Sequence, residues 1–455
     1  MILKYSKKLI ILIIIIIFSD INIKINKKNT FFIKYHFNYP ISNIKKIKIA
    51  IFSTSLSNGG IERQTSLILK YFNKVKFFKL FLFTIKDKEE NEYKIDSNIK
   101  RIIIKNDLIK ILKKIKIDIL LYQFYNEKEI EQLNKFNKTK TIFINRSCFL
   151  HWIYYKLYYF YKTVYKAYKN CTYLVSLIPF EHYYLFNKWG INSILMNNFI
   201  PYEYKSIKPS DLSSKIILMI GRGDDPIKRF ELGIRAMKYI SQKFPDSEMK
   251  IISKTNDIDF LKKLVLKLNL ENNIKFIGYI SNPEIYYKNT SLHIFPTMAE
   301  AFPNILSETL SYGIPNILTG LDYVSTSKGG TVIIYDDSPI SISKIAIKIL
   351  KNKKYRENLG KEARKNMKKF RNDILLEKWI KIILSIYFED NNYFEKIRNI
   401  DNKINKNEYI KIIFNQIKLL KMREKKFENI SINDRKNLVL CRILNKKFNI
   451  FIIYS

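Results

Sequence analysis

Residues Glu300 to Leu318 read EAFPNILSETLSYGIPNIL and place two carboxylates, Glu300 and Glu308, eight positions apart around an apolar loop. A carboxylate accepts hydrogen bonds through both oxygens and suits a ligand rich in hydroxyls. SLHIFPTMAEAFPN reads as a buried strand running into a loop, and PNILSETLSYG as the helix that follows, ended by Gly313. Glu300 then stands in the loop at the carboxyl end of a strand. Glu308 stands a turn or two inside the helix, on a face that can also reach that end. The backbone at Phe302, Pro303 and Asn304 lies at the helix N-terminus, where amides and the helix dipole favour an anionic or hydroxyl-rich group. Two glutamates at this spacing are common by chance, so the spacing gains meaning only from its place in the fold.

Two further loops carry candidate chemistry. STSLSNGGIERQ, Ser53 to Gln64, puts Gly59 and Gly60 between a strand and a helix. Glycines there let backbone amides approach an anion, although a plain tight turn would use the same residues. GRGDDPIKRF, Gly221 to Phe230, imitates a dinucleotide-binding fingerprint, but Pro226 stands where the third glycine belongs. That departure argues against a nicotinamide enzyme. Arg222 and Lys228 remain, six residues apart, able to converge on a diphosphate.

The elements that must position these loops follow from the apolar pattern. Buried-type strands are read at 47–52, 79–85, 101–105, 117–123, 141–145 and 172–178, with lysine-rich amphipathic segments of helical length between them. After 197–215, a stretch with two prolines, the alternation resumes at 215–221, 249–253, 274–278, 291–296, 314–319 and 331–336. Strands alternating with helices form parallel sheets covered on both faces. The expected fold is α/β with two Rossmann-like domains facing across a cleft, at 46–200 and 215–388 with a linker at 201–214. Ligands of such sheets sit beyond the carboxyl ends of the strands. The helix at 374–387 is expected to close the second domain, and the lysine-rich tail at 389–455 receives no role.

The chain has 455 residues, a formal net charge of +40 and 47% apolar residues. Lysine is spread from Lys4 to Lys447 among abundant Ile, Asn and Tyr, which is the signature of a skewed composition more than of a polyanion-binding patch. No nucleic-acid motif supports a nucleic-acid partner. Three scattered cysteines and four histidines without metal-ligand spacing give no basis for a disulfide framework or a metal centre. Near the N-terminus, Leu9 to Phe18 is a ten-residue apolar run after Lys7 and Lys8. It is shorter than the roughly 20 residues of a spanning helix. Residues 1–18 are read as a signal anchor and 19–45 as a tether, an isoleucine-rich accident being the alternative.

Taken in order, the GGIER loop at 59–63, the Arg222 and Lys228 pair in GRGDDPIKRFELGIRAM, and Glu300/Glu308 followed by LSYGIP resemble the retaining GT-B glycosyltransferases of the family 4 group. The likeness covers about residues 45–388 and is strongest over 213–335. It implies a metal-independent enzyme with no cofactor beyond a nucleotide-sugar co-substrate and with a glycan, lipid or other acceptor. Arg222 and Lys228 would hold the donor diphosphate, Glu300 would stand by the donor sugar and Glu308 by the ribose hydroxyls. Gly59 and Gly60 would face the diphosphate and the acceptor, and the protein would be membrane-associated through its N-terminal segment, otherwise cytoplasmic. One departure stands out: the family's histidine is replaced by Asn145 and Arg146 in TIFINRSCFLHW. Either Arg146 reaches the donor site, pairing with Glu300 or with a carboxylate on the donor sugar, or it points to solvent and His151 takes the histidine's role. A GT-B-like sugar-nucleotide epimerase, or an inactive sugar-nucleotide-binding protein, is the alternative reading.

Overall fold

The computed structural model describes residues 24–26, 30–32 and 45–390, apart from 58, 106, 124–125, 147–164, 224, 226, 254–257, 281, 322, 325–328 and 337. The apolar run at 9–18, His151 and the tail beyond 390 lie outside the described residues. A short antiparallel pair, β1 (Lys24–Asn26) and β2 (Thr30–Phe32), precedes the first domain. That domain comprises β3 (Ile47–Ser53), α1 (Gly60–Phe72), β4 (Phe78–Thr84), β5 (Lys100–Ile103), α2 (Leu108–Ile115), β6 (Ile119–Tyr122), α3 (Glu127–Lys135), β7 (Lys140–Ile144), β8 (Tyr173–Ser176), α4 (Pro179–Tyr184) and β9 (Ile194–Leu195).

The second domain runs through β10 (Ile216–Ile220), α5 (Phe230–Lys243), β11 (Glu248–Ile252), α6 (Asp259–Lys267), β12 (Ile274–Gly278), α7 (Glu284–Tyr287) and β13 (Leu292–Phe295). It continues with α8 (Asn304–Ser311), β14 (Asn316–Thr319), β15 (Thr331–Ile334), α9 (Pro339–Lys351) and α10 (Lys353–Met367), and α11 (Asn372–Tyr387) follows.

Both sheets are wholly parallel, ordered β5-β4-β3-β6-β7-β8-β9 and β12-β11-β10-β13-β14-β15. Their strands are nearly continuous apolar runs because helices cover both faces; Ile49, Ile51, Leu120 and Leu121 are fully buried. In each sheet the chain starts in the middle, winds outward one way and then returns to wind the other. The switch points lie between β3 and β6 and between β10 and β13. Loops leaving the strands there diverge and open a crevice, so two crevices are available to face each other.

The twelve strands expected in the two domains are all present, with ends shifted by at most two residues. The two-residue β9 is additional and too short to leave a pattern. One expectation is corrected. Helix α11, read as closing the second domain, packs its apolar face into the first domain's core through Leu375, Leu376, Trp379, Ile380 and Ile383. The Trp379 ring meets Phe72 of α1 edge-on at 5.7 Å, and Asn372 at its start donates to Tyr71 Oη at 2.6 Å and to the Ile200 carbonyl at 2.8 Å. An amphipathic helix takes whichever apolar surface the chain can reach. Here the chain returns across the cleft and straps the domains together. Truncating the buried Trp379 to alanine removes packing worth about 3–5 kcal/mol.

Candidate active site

The site is assembled from the loops at the two switch points. In the second domain the loop after β10 delivers Lys228, and the loop after the adjacent β13 delivers Glu300. Their side chains form an ion pair in which each is largely withdrawn from water, at 17% and 16% exposure. Thr297 Oγ1, from the same loop as Glu300, lies 3.5 Å from the carboxylate.

Arg229, which the sequence reading passed over, fixes this geometry. It adopts the left-handed backbone conformation at φ 51° as the residue preceding α5. A side chain pays about 1 kcal/mol or more for that conformation unless it is compensated. The compensation is a buried guanidinium that donates to the Pro296 carbonyl at 2.6 Å and to Thr319 Oγ1 at 2.9 Å. The Lys228 loop is thereby bolted to the ends of β13 and β14. Arg222, by contrast, points outward at 73% exposure and pairs with Asp225 at 2.8 Å. The expected convergence of Arg222 and Lys228 on one point is therefore not the arrangement seen: Lys228 alone lines the crevice.

Helix α8 begins at Asn304 with no side chain capping its first amides. The aromatic ring of Phe302 does not face a ligand. It is buried and meets Phe370 edge-on at 5.8 Å. Pro303, which has no N–H, is buried as well and precedes the first helical residue, Asn304. Asn304 instead looks across the cleft, accepting at Oδ1 from Gln64 Nε2 at 3.1 Å and from Asn198 Nδ2 at 3.0 Å. Asn198 also donates to the Phe302 carbonyl at 3.2 Å. These amides hold the loop of the second domain to the first.

Glu308 is fully buried. Its Oε1 accepts from Arg63 Nη1 at 2.7 Å, and its Oε2 from the buried Tyr287 hydroxyl at 2.8 Å. Burial raises the Glu308 carboxyl above its ordinary pKa against the opposing pull of Arg63 and Tyr287. Burial pulls Arg63 the other way, but Glu308 and neighbouring tyrosines outweigh it and hold the guanidinium firmly charged. The direction that matters is Arg63's: it crosses from the first turn of α1 to the second domain as a cation.

Gly59 and Gly60 start α1 opposite this loop, and Asn304 Nδ2 comes within 3.5 Å of the Gly60 carbonyl. The Glu62 carboxylate folds over Gly59 so closely that a Cβ there would meet Oε2 at 1.8 Å. Burial raises the Glu62 pKa while its own backbone amide lowers it. The helix N-terminus expected to face a diphosphate is thus covered by its own glutamate.

Arg146, just beyond β7, is half-buried and lies where Asn198 meets the loop of the second domain. Its partner is not Glu300, which Lys228 holds. Nε donates to Gln123 Oε1 at 2.8 Å, and Nη1 donates to Asn198 Oδ1. Gln123 is anchored in turn to Thr65 Oγ1 at 2.8 Å. The signal for Arg63 was legible in principle. A cation in the first turn of a helix opposes the helix dipole and calls for a partner elsewhere. Gln64, Gln123 and Asn198 carry no such signal, because a neutral amide fits any polar position. Among the described residues no three His, Cys, Asp or Glu side chains gather where a metal could sit.

Two facing parallel sheets with their switch points turned to a common cleft define the GT-B class of sugar-transferring folds. Residues 203–366 match the family model described as glycosyl transferases group 1. An uncharacterised glycosyltransferase of Haemophilus influenzae is 26% identical over 155 residues. That match takes in 33% of this chain and 42% of the relative, so the chain spans less than half the length of that protein. Among solved structures, sucrose-phosphate synthase of Thermosynechococcus elongatus superposes with a TM-score of 0.63 at 14% identity, covering 75% of this chain and 100% of that one. HepE of Anabaena, solved with UDP and glucose, gives 0.58 at 13% identity over 74% of this chain and 99% of that one. The second domain is thus similar to the glycosyl transferases group 1 family, and the chain has the GT-B fold of these structures.

Proposed function

We propose that the protein is a retaining glycosyltransferase that moves a sugar from a nucleotide-sugar donor to a glycan, lipid or other acceptor without a metal ion. The observation that carries this reading is the Lys228–Glu300 pair at the second switch point, beside the uncapped start of α8. Breaking a glycosyl–phosphate bond builds negative charge on the departing diphosphate. An ammonium and oriented amides stabilise that charge without reorganising. The diphosphate competes with Glu300 for Lys228, and a Glu300 released from its partner can accept hydrogen bonds from sugar hydroxyls. Glu308 takes the ribose hydroxyls when Arg63 withdraws, and Arg222 supplements the phosphate contacts from the rim. Opening and closing of the domains around this exchange would admit the donor and then exclude water.

The first domain is the acceptor side. A cavity of about 520 Å³ lies there at the carboxyl ends of β4 and β5, lined by Ile85, Ile104, Lys105 and Asp107 among others. Its mixture of apolar walls and polar groups suits a sugar ring. The N-terminal apolar run, outside the described residues, would bring the enzyme to a membrane-delivered acceptor; among the described residues no helix is long and apolar enough to cross a membrane. The relative and structures quoted above give no support to the epimerase alternative.

Calorimetric titration of the full chain with nucleoside diphosphates in excess chelator tests the reading. Binding in chelator is expected, with Glu300→Gln slowing transfer more than it weakens binding. No heat with any nucleoside diphosphate, or binding that requires added metal, would overturn it.

A further inference from the structure

Three cations around the cleft have acidic partners. Lys228 is neutralised by Glu300, Arg63 by Glu308 at 2.7 Å and Arg222 by Asp225 at 2.8 Å. Arg146 has only the neutral oxygens of Gln123 and Asn198, and no carboxylate lies against it among the described residues. The stretch that continues from it, 147–164, contains no aspartate or glutamate at all. Toward the described residues, two of its five N–H donors are engaged and three are not. Half-buried, it is reachable yet partly stripped of water. Burial with no counter-charge pulls its pKa below the ordinary arginine value.

Position adds to this. Asn198 accepts from Arg146 and donates to both the Phe302 carbonyl and Asn304, so the guanidinium is one side chain away from the loop that carries Glu300. Asn198 links it to the start of α8. Gln123 and Asn198 are themselves buried and anchored, so the guanidinium plane is held before any ligand arrives. A planar fork fixed by neutral acceptors, with no acid of its own, is matched to an incoming carboxylate or phosphate.

We propose that Arg146 is the recognition point for an anionic group, a carboxylate or phosphate, carried by a sugar in the cleft in addition to the donor's diphosphate. The proposal rests on the cleft being a site of glycosyl transfer. It makes the protein selective for an acidic sugar, either on the donor or on the acceptor.

The test uses the full chain and ligand pairs that differ only in the charged group. For the donor these are UDP-glucose with UDP-glucuronate and GDP-mannose with GDP-mannuronate. For the acceptor, with the nucleoside diphosphate saturating, they are methyl glucoside with methyl glucuronide and glucose with glucose 6-phosphate. The wild type is expected to favour the acidic member of at least one pair by about tenfold or more, in line with one charge-assisted contact. Arg146→Gln removes that preference, and Arg146→Lys keeps part of it, because the charge stays and the fork is lost. The pair that responds identifies whether donor or acceptor carries the acid. No preference in any pair overturns the proposal, as does Arg146→Gln weakening UDP or GDP itself as much as the acidic ligand, since Arg146 would then be a diphosphate ligand. Binding of UDP or GDP alone separates this failure from failure of the glycosyltransferase reading. Should Arg146→Gln melt below the wild type, Arg146→Lys with wild-type melting decides the same point.

Discussion

Glu300 and Glu308 belong to one short segment, yet their surroundings are opposite. Glu300 stands in a loop, partly open to water, and its partner Lys228 comes from the neighbouring strand of the same domain. Glu308 lies on the helix, sealed from water, and its cationic partner Arg63 comes from the other domain. A pair in which both members keep some access to water can exchange partners with a ligand more readily than one with a fully buried member. A sealed pair holds strongly once formed, and removing either member strands a charge. The first arrangement is the one the proposed chemistry would use; the second joins the two domains, and any role at a ribose requires Arg63 to leave first.

The largest effect that could break this contrast is on stability. Arg63→Ala strands Glu308 and is expected to cost about 3–5 kcal/mol, with Arg63→Met/Glu308→Gln recovering most of it. Denaturant midpoints would show it, and a loss below about 1 kcal/mol would mean that Glu308 is not sealed. Next is Lys228→Ala, which removes a charge-assisted contact and should weaken a nucleoside diphosphate at least tenfold, corresponding to about 1.5–3 kcal/mol. Equal losses for the nucleoside and its diphosphate would remove Lys228 from the phosphate site.

Acidification sharpens the comparison through His293, buried in β13 beneath the Glu300 loop. Burial, partly opposed by its bond to Asn316, lowers its pKa to about 4. Below the ordinary value of about 6.5 the unfolded chain binds a proton that the folded chain refuses, so this contribution is lost as pH falls from about 6.5 to about 4. The slope approaches about 1.4 kcal/mol per pH unit within that window. The difference between wild type and His293→Gln isolates it from Glu308, whose raised pKa acts in the opposite sense. A pH-independent difference between the two proteins would show that His293 titrates normally. The smallest effect is expected at Arg222→Ala, because Arg222 is exposed and paired locally. Its loss of diphosphate affinity should fall below that of Lys228→Ala, and a larger one would return Arg222 to the centre of the site.

Much of this architecture was legible in residue order, for a physical reason. Strands buried on both faces must be unbroken apolar runs, and a parallel sheet must alternate them with helices, so pattern alone yields two α/β domains. Loops at strand ends inherit their place from that pattern, which is why the GGIER, GRGDDPIKRF and Glu300/Glu308 segments could be nominated before any coordinates. What residue order left open is which side chain meets which. Arg222 and Lys228 look equivalent in a sequence, but only Lys228 falls between β10 and β13. The path of α11 was equally hidden, since an apolar helix face carries no address.

The sequence by itself therefore determined the local terms: strand and helix periods, the glycine that ends α8, and the absence of any acid between 147 and 164. Tertiary structure alone decided the pairings over long separations. Arg63 meets Glu308 across 245 positions, Gln64 meets Asn304 across 240, and Arg146 reaches Asn198 across 52. Propensity and periodicity act within a few residues, whereas a buried charge or amide is satisfied by whatever partner the packed chain brings within about 3 Å.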